Sequence, residues 1–254
     1  MASAGKDERG EVPLGGIGTA LGTAIIHRDD ELLVLHKPAD VSLLADRSGA
    51  PCLWDALSAE LGRKLYLVHR LDKPTSGVLV IALTAECQKR LTRQFQARQV
   101  RKYYLAWVSG RTPAAGIIDL PLKKGRKSRY RVAGARADIV ECDRRWTLRE
   151  KSEGGFDSLT RFRTLHQGTG LPRDTDLHGD ADRSLLLLAP RTGRTHQLRV
   201  HLAWIGHPIL GDRLYGRPQD PHQQAPRLLL HAHRLVLPGT GSFAARPPAD
   251  FPAG

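Results

Sequence analysis

The sequence predicts an α+β fold, on three observations. Short apolar runs of strand length recur along the chain, at Leu32–Leu35, Val78–Leu83, Lys102–Val108 and Leu185–Leu188. Three segments instead space their apolar residues by helical turns: Leu53, Leu57 and Leu61; Cys87, Leu91 and Phe95; Leu198, Leu202 and Ile205. The pattern is strand-rich with short helices interspersed, which implies the α+β class. At 254 residues with 41% hydrophobic content, the chain can bury a core for one large domain or two tightly joined lobes. One folded domain is expected over 21–250. Residues 1–20, rich in Gly, Ala and charge without periodicity, read as a mobile leader, and 251–254 as a loose tail of the Pro-rich end.

Each element has a local cause. Ile25–Ile26 and Leu32–Leu35 read as a hairpin around Asp29–Asp30, which Lys37–Pro38 ends because proline cannot donate to a ladder. The Leu53–Leu61 helix stops at Gly62. Residues 66–72 (YLVHRLD) lead into the turn Lys73–Gly77 and then the apolar run Val78–Leu83, a buried strand by composition. Thr84 is the expected N-cap of the Cys87/Leu91/Phe95 helix, which delivers the chain to a strand at Lys102–Val108. Residues 123–131 (KKGRKSRYR) have no apolar face and are expected as an exposed basic loop. Leu159–Leu165 alternates as a strand should, and a polar insertion is expected near 168–182. Thr192–Gly193 turns the chain into a short helix from about Thr195 to Gly206, with His196 and Arg199 one turn apart on the same side.

The formal charge of +13 implies attraction to polyanions, since neutralising phosphates releases condensed counterions. Cys52, Cys87 and Cys142 are odd in number, far apart and lack C-x-x-C spacing, so neither a disulfide framework nor a cysteine zinc site is indicated; they read as buried small hydrophobes in a reducing cytosol. No signal-peptide pattern or long apolar stretch points to secretion or a membrane.

Taken singly, the chemically interesting residues have ordinary structural readings. An aspartate among Lys and Arg, such as Asp72, is usually a solvated ion-pair partner. His69, His196 and His201 show no i, i+4 pairing with a supporting carboxylate, so structural or RNA-contacting roles fit them better than metal ligation. Tyr104 alternates with Ala106 and Val108 and reads as core.

Together they read differently. HRLDKPTSGVLVI at 69–81 closely resembles the central motif of the RluA-type pseudouridine synthases. LLVLHKPADV at 32–41, RQVRKYYLAWVSG at 98–110, RTGRTHQLRVHLAWIGHPILGDRLYG at 191–216 and LLLHA at 228–232 agree with that family in order and spacing. The resemblance implies a mixed, mostly antiparallel sheet bent across two sub-lobes, flanked by helices, with a central RNA-binding cleft. It implies Asp72 as catalytic aspartate, Arg199 as its charge partner, within about 4 Å, and Tyr104 as the ring that stacks on the target base. Leu198 packs on the other uracil face and Arg70 holds the RNA open. His69, Thr75, Lys102, Arg194, His196 and Gln197 are assigned to supporting RNA contacts. No metal or other cofactor is implied, and a monomer is expected. The architecture, without an S4-type domain, is most similar to the short enzymes acting on a 23S rRNA stem-loop and a tRNA anticodon stem-loop.

The chemistry is self-consistent. Making pseudouridine breaks the N1–C1′ bond, turns the uracil and forms C5–C1′, so the base must leave its stack. A carboxylate can act as covalent nucleophile, is ionised near neutral pH without a general base, and is oriented by an arginine. Addition to C1′, addition to C6 and a glycal route all use the same aspartate and stay open. A catalytically silent RNA-binding protein on this scaffold should lack Asp72, and a metal-dependent nuclease should show paired carboxylates or a dense His/Asp cluster. Neither mark is present in the sequence.

Overall fold

The computed structural model describes residues 12–13, 21–46, 49–126, 129–150, 154–169, 182–216 and 225–252. In chain order its elements are β1 (Val12–Pro13), β2 (Ala24–Arg28), β3 (Leu32–Lys37), α1 (Leu53–Leu61), β4 (Tyr66–Leu67), β5 (Ser76–Ala82), α2 (Ala85–Gln96), β6 (Arg101–Ser109), β7 (Ala115–Asp119) and β8 (Leu122–Lys124). There follow β9 (Tyr130–Val132), β10 (Ile139–Cys142), β11 (Arg145–Leu148), β12 (Leu159–Thr169), β13 (Asp182–Pro190), α3 (Gln197–Trp204), β14 (Leu230–Leu237) and β15 (Gly241–Ala244). The chain divides into two compact units, Met1–Val100 with Ala232–Pro247, and Arg101–His231 with Pro248–Gly254. The class is the expected α+β, with a mixed and mostly antiparallel sheet.

In the first unit the strand order is β1-β2-β3-β5-β14, with β4 also on β5 and β15 on β14. β5 is buried at all seven positions. It lies between β3 and β14 with α2 packed over it, which is why its sequence is an unbroken apolar run rather than an alternation. Burying one such Val, Leu or Ile side chain contributes about 1.5–3 kcal/mol. Gly77, the second residue of this strand, has φ +117°, and a Cβ there would sit 2.2 Å from the Ala232 carbonyl oxygen, so only glycine admits β14 alongside. Both expected helix signals operate: the Thr84 hydroxyl accepts from the Cys87 N–H at 3.2 Å, and Gly62 closes α1 at φ 59°.

In the second unit the order is β6-β13-β12-β7-β11-β10, antiparallel except for β7 with β11. Leu186, Leu188, Ala106, Val108, Phe162 and Ile118 form its core together with Leu198, Val200 and Leu202 of α3. The alternation of β12 is interrupted by a register shift between Thr164 and His166, which leaves Leu165 exposed.

Several expectations need correction. Part of the leader is structured, for Val12 and Pro13 pair with Ile25 and Ala24. The rest of 1–20 lies outside the described residues, as does the insertion between Thr169 and Asp182, whose two ends are paired neighbours in the β12–β13 ladder. The Pro-rich end is held as far as it is described: Phe251 is buried, Arg227 clamps Asp250 through two bonds of 2.7 and 2.9 Å, and the Trp107 indole donates to the Pro252 carbonyl. Cys142 is exposed, unlike Cys52 and Cys87. The basic stretch is a hairpin, with Lys123 opposite Arg131 and Lys124 opposite Tyr130.

Candidate active site

Asp72 sits in the first unit on the connection between β4 and β5. The connection is braced at each end. Upstream, the His69 Nε2 accepts the Val80 backbone N–H at 3.0 Å and its ring stacks on Phe95 with centroids 5.1 Å apart. An Nε2 that accepts carries no proton, so His69 fastens the loop to β5 as a neutral imidazole. Downstream, the Thr75 N–H donates to the Asp72 carbonyl at 3.0 Å, closing a turn into buried Thr75 and Ser76. Beneath it lies Lys37, fully buried at the end of β3, whose ammonium donates to the carbonyls of Pro38, Val41 and Lys73 at 2.7, 2.9 and 3.0 Å. Three donors meet three backbone carbonyls, which offset the cost of burying the cation. Leu71 is buried, Asp72 half-buried and Arg70 exposed, so the brace holds the main chain and leaves the Arg70 side chain to solvent.

The other candidate residues lie in the second unit. Tyr104 on β6, opposite Leu188, packs half-buried against the core that includes Leu198. Two positions earlier on the same strand face, the Lys102 ammonium donates to the Thr192 carbonyl at 2.9 Å, and burial lowers its pKa to about 8. The turn after β13 ends at His196, whose φ of 56° makes it the residue before α3 rather than part of it, contrary to the expected shared helix face with Arg199.

Arg199 is held by a carboxylate that no local spacing announces. Its Nε and one Nη donate to the two oxygens of Asp212 at 2.8 and 2.7 Å, a buried bidentate pair with side chains 7% and 1% exposed. Asp212 also accepts the backbone N–H groups of Leu214 and Tyr215. The guanidinium carbon lies 5.2 Å from the Tyr215 ring centroid, and the Tyr215 hydroxyl bonds His196 Nδ1 at 2.8 Å while accepting the Tyr130 N–H. Asp212 and Tyr215 were therefore missed as site residues. Their sequence signal is slight: Asp212 reads as one half of an adjacent Asp–Arg pair and Tyr215 as one more aromatic after it.

Gln197, assigned above to RNA contact, is spent inside the protein. Its carbonyl oxygen accepts from the Thr192 hydroxyl and the Arg194 N–H at 2.7 and 3.0 Å, and its amide nitrogen donates to the Leu159 carbonyl and Thr160 hydroxyl, both at 3.1 Å. All four hydrogen-bonding capacities of the amide are used, so its work is to fix the turn before α3 onto β12. The same Thr160 hydroxyl meets His201 Nδ1 at 3.0 Å, and His201 Nε2 donates to the Leu120 carbonyl at 2.9 Å. Burial pushes the His201 pKa down to about 4, against a smaller opposing effect of the Leu120 bond, so the ring is neutral with its proton on Nε2.

The first unit thus brings together His69, Arg70, Asp72 and Thr75, and the second brings together Lys102, Tyr104, Arg194, His196, Gln197, Leu198 and Arg199. The model of the RNA pseudouridylate synthase family matches residues 31–204. The dual-specificity RNA pseudouridine synthase RluA of Escherichia coli (strain K12) is 36% identical over 238 residues, covering 89% of this chain and 93% of that protein. The tRNA pseudouridine synthase C of Haemophilus ducreyi is 33% identical over 222 residues, covering 83% of each. Among solved structures, human RNA pseudouridylate synthase domain containing 1 superposes with a TM-score of 0.69 at 29% identity, over 89% of this chain and 83% of that one.

Proposed function

Since the chain belongs to the RNA pseudouridylate synthase family, as an RluA-type isomerase acting on uridine in RNA, we propose that Asp72 is its catalytic nucleophile, with Arg199 as its charge partner. Tyr104 and Leu198 hold the two faces of the uracil, a contact suited to a base that must rotate because stacking tolerates any hydrogen-bond register. Arg70, exposed at the loop tip, keeps the RNA open, with Thr75, Lys102, Arg194 and His196 in support. Gln197 and His69 act by holding the backbone. The N1–C1′ bond breaks and N1 takes up a proton, C5–C1′ forms and the C5 proton leaves to solvent; the protein supplies the carboxylate, the guanidinium and the stack.

The observation that carries this reading is the presentation of Asp72, a half-buried carboxylate on a turn braced from beneath by Lys37 and from the side by His69. Positioning to this degree is what a nucleophile needs and a solvated surface carboxylate does not. The names of the relatives, a dual-specificity RNA pseudouridine synthase and a tRNA pseudouridine synthase, support RNA as the substrate; the finer reading is a 23S rRNA or tRNA stem-loop, bound by a monomer without cofactor in the cytosol. The three unpaired cysteines fit that compartment.

Tritium release from [5-³H]uridine-labelled RNA tests the reading. Wild type should release label and Asp72→Ala should not, with chelator having no effect. Equal release by the two proteins would remove Asp72 from its role, and release by neither would remove the activity.

A further inference from the structure

We propose that Phe156 is a stacking platform for an unpaired base of the substrate RNA, with Arg194 bracing its ring and the basic β8–β9 hairpin taking the adjoining phosphates. The proposal deepens the reading of the chain as an RNA-acting enzyme and rests on it.

Phe156 is 58% exposed, more than Leu165 or Leu44, the other large apolar side chains at the surface among the described residues. Single exposed apolar residues are common and by themselves mean nothing. Three features separate this one. Its backbone is rigid, for the Phe156 N–H donates to the Leu122 carbonyl at 2.8 Å and the Phe156 carbonyl accepts the Leu122 N–H at 3.0 Å and the Ser158 hydroxyl at 2.8 Å. Its ring is braced: the Arg194 guanidinium carbon lies 5.3 Å from the centroid, and Arg194 is itself tied by its Nε to the Asp157 carbonyl and by its N–H to Gln197. Its exposure shows that the guanidinium leaves much of the ring open.

The charge around it selects the ligand. Leu122, the bridge partner, begins the strand that continues into Lys123 and Lys124, and the paired strand carries exposed Arg131. That hairpin also packs on α3, and beside it the Tyr130 ring meets the His196 ring while the Tyr130 N–H donates to the Tyr215 hydroxyl. A flat open ring, a guanidinium beside it and a row of cations one strand away match a nucleotide, whose base has a π face and whose backbone carries one negative charge per residue. Base pairing would keep that face inside a stack, so the ligand is a single-stranded or splayed nucleotide flanking the modified uridine.

The test uses the full chain with two labelled probes, a single-stranded oligouridylate and a fully paired RNA duplex, against wild type, Phe156→Ala, Phe156→Leu and Phe156→Trp. Leucine keeps apolar area without a π face and tryptophan keeps the stack. The expected result is about tenfold weaker oligouridylate binding for the Ala and Leu variants, near-wild-type binding for Trp, and unchanged duplex binding. The salt slope should be unaltered by the Phe156 variants and reduced by about one in Lys124→Ala. Wild-type oligouridylate affinity in the Leu variant, affinity in the Trp variant as weak as in Ala, or an equal loss on duplex each overturns the proposal. Tritium release by wild type is scored separately, so a failed activity and a failed platform give different results.

Discussion

The Asp72 loop and the Arg199 turn-helix both present a charged side chain, but they are held in opposite ways. Around Asp72 the scaffold is main chain: one lysine ammonium bonds three carbonyls, a histidine nitrogen accepts a strand N–H, and a turn closes on its own backbone. Around Arg199 the scaffold is side chain, through Asp212, Tyr215 and His196 on one side and Gln197, Thr160 and His201 on the other. The Lys73 ammonium on this loop also pairs with Asp46 at 2.9 Å, a solvent-screened contact whose loss the loop tolerates because the main-chain bonds remain. A side-chain network fails when one member is lost, because each remaining partner is left buried and unpaired.

The largest expected effect is therefore on the second region. Asp212→Ala leaves a buried guanidinium without its carboxylate and should cost about 3–5 kcal/mol in urea unfolding, with loss of tritium release. A cost under about 1 kcal/mol would mean that the guanidinium is held by other groups and that the contrast between the regions is overstated. Lys37→Met removes the brace beneath the Asp72 turn and orphans three carbonyls; a loss of about 3 kcal/mol is expected from the lowered melting temperature. If Lys37→Met instead melts like wild type, backbone bracing is not what shapes the loop.

Acid should act on the side-chain network. The folded-state pKa of His201 is about 4 against an ordinary 6.5, so the unfolded chain binds the extra proton first. Its contribution is complete above pH 6.5 and is lost as pH falls from there towards 4, up to about 3 kcal/mol. Urea midpoints across that window should fall more steeply for wild type than for His201→Asn, and parallel curves would take the histidine out of the acid response.

The smallest effect concerns Lys102, whose pKa of about 8 makes the folded chain release a proton that the unfolded chain keeps until about 10.5. Stability contributed there rises with pH between those values, whereas any RNA contact needing the ammonium weakens above pH 8. The pH profile of kcat/KM should show an alkaline limb near 8 that Lys102→Arg moves upward by a unit or more, since arginine stays charged. An unmoved limb would assign it to another group.

Much of the fold was legible along the chain because its causes are local. Thr84 caps α2, Gly62 ends α1, and the Val78–Leu83 run became the fully buried β5. Asp72, Tyr104 and Leu198 could be singled out by their motifs. The exceptions have nonlocal causes. Phe251 is buried because Trp107, Leu229 and Leu210 receive it, and the basic stretch is a hairpin because Tyr130 and Leu122 find partners in Tyr215 and Phe156.

What the sequence by itself determined was the family and the element pattern, and it singled out Asp72 as the candidate carboxylate, because caps, turns, periodicity and motif spacing act over a few residues. Only the tertiary structure decided that Arg199 belongs to Asp212, that the Gln197 amide is taken up by the turn before α3, and that Lys37 underlies the Asp72 loop. Those partners are 13, 3 and 36 residues away. Buried polar atoms take whichever partner the packing brings within hydrogen-bond reach, and distance along the chain does not say which that will be.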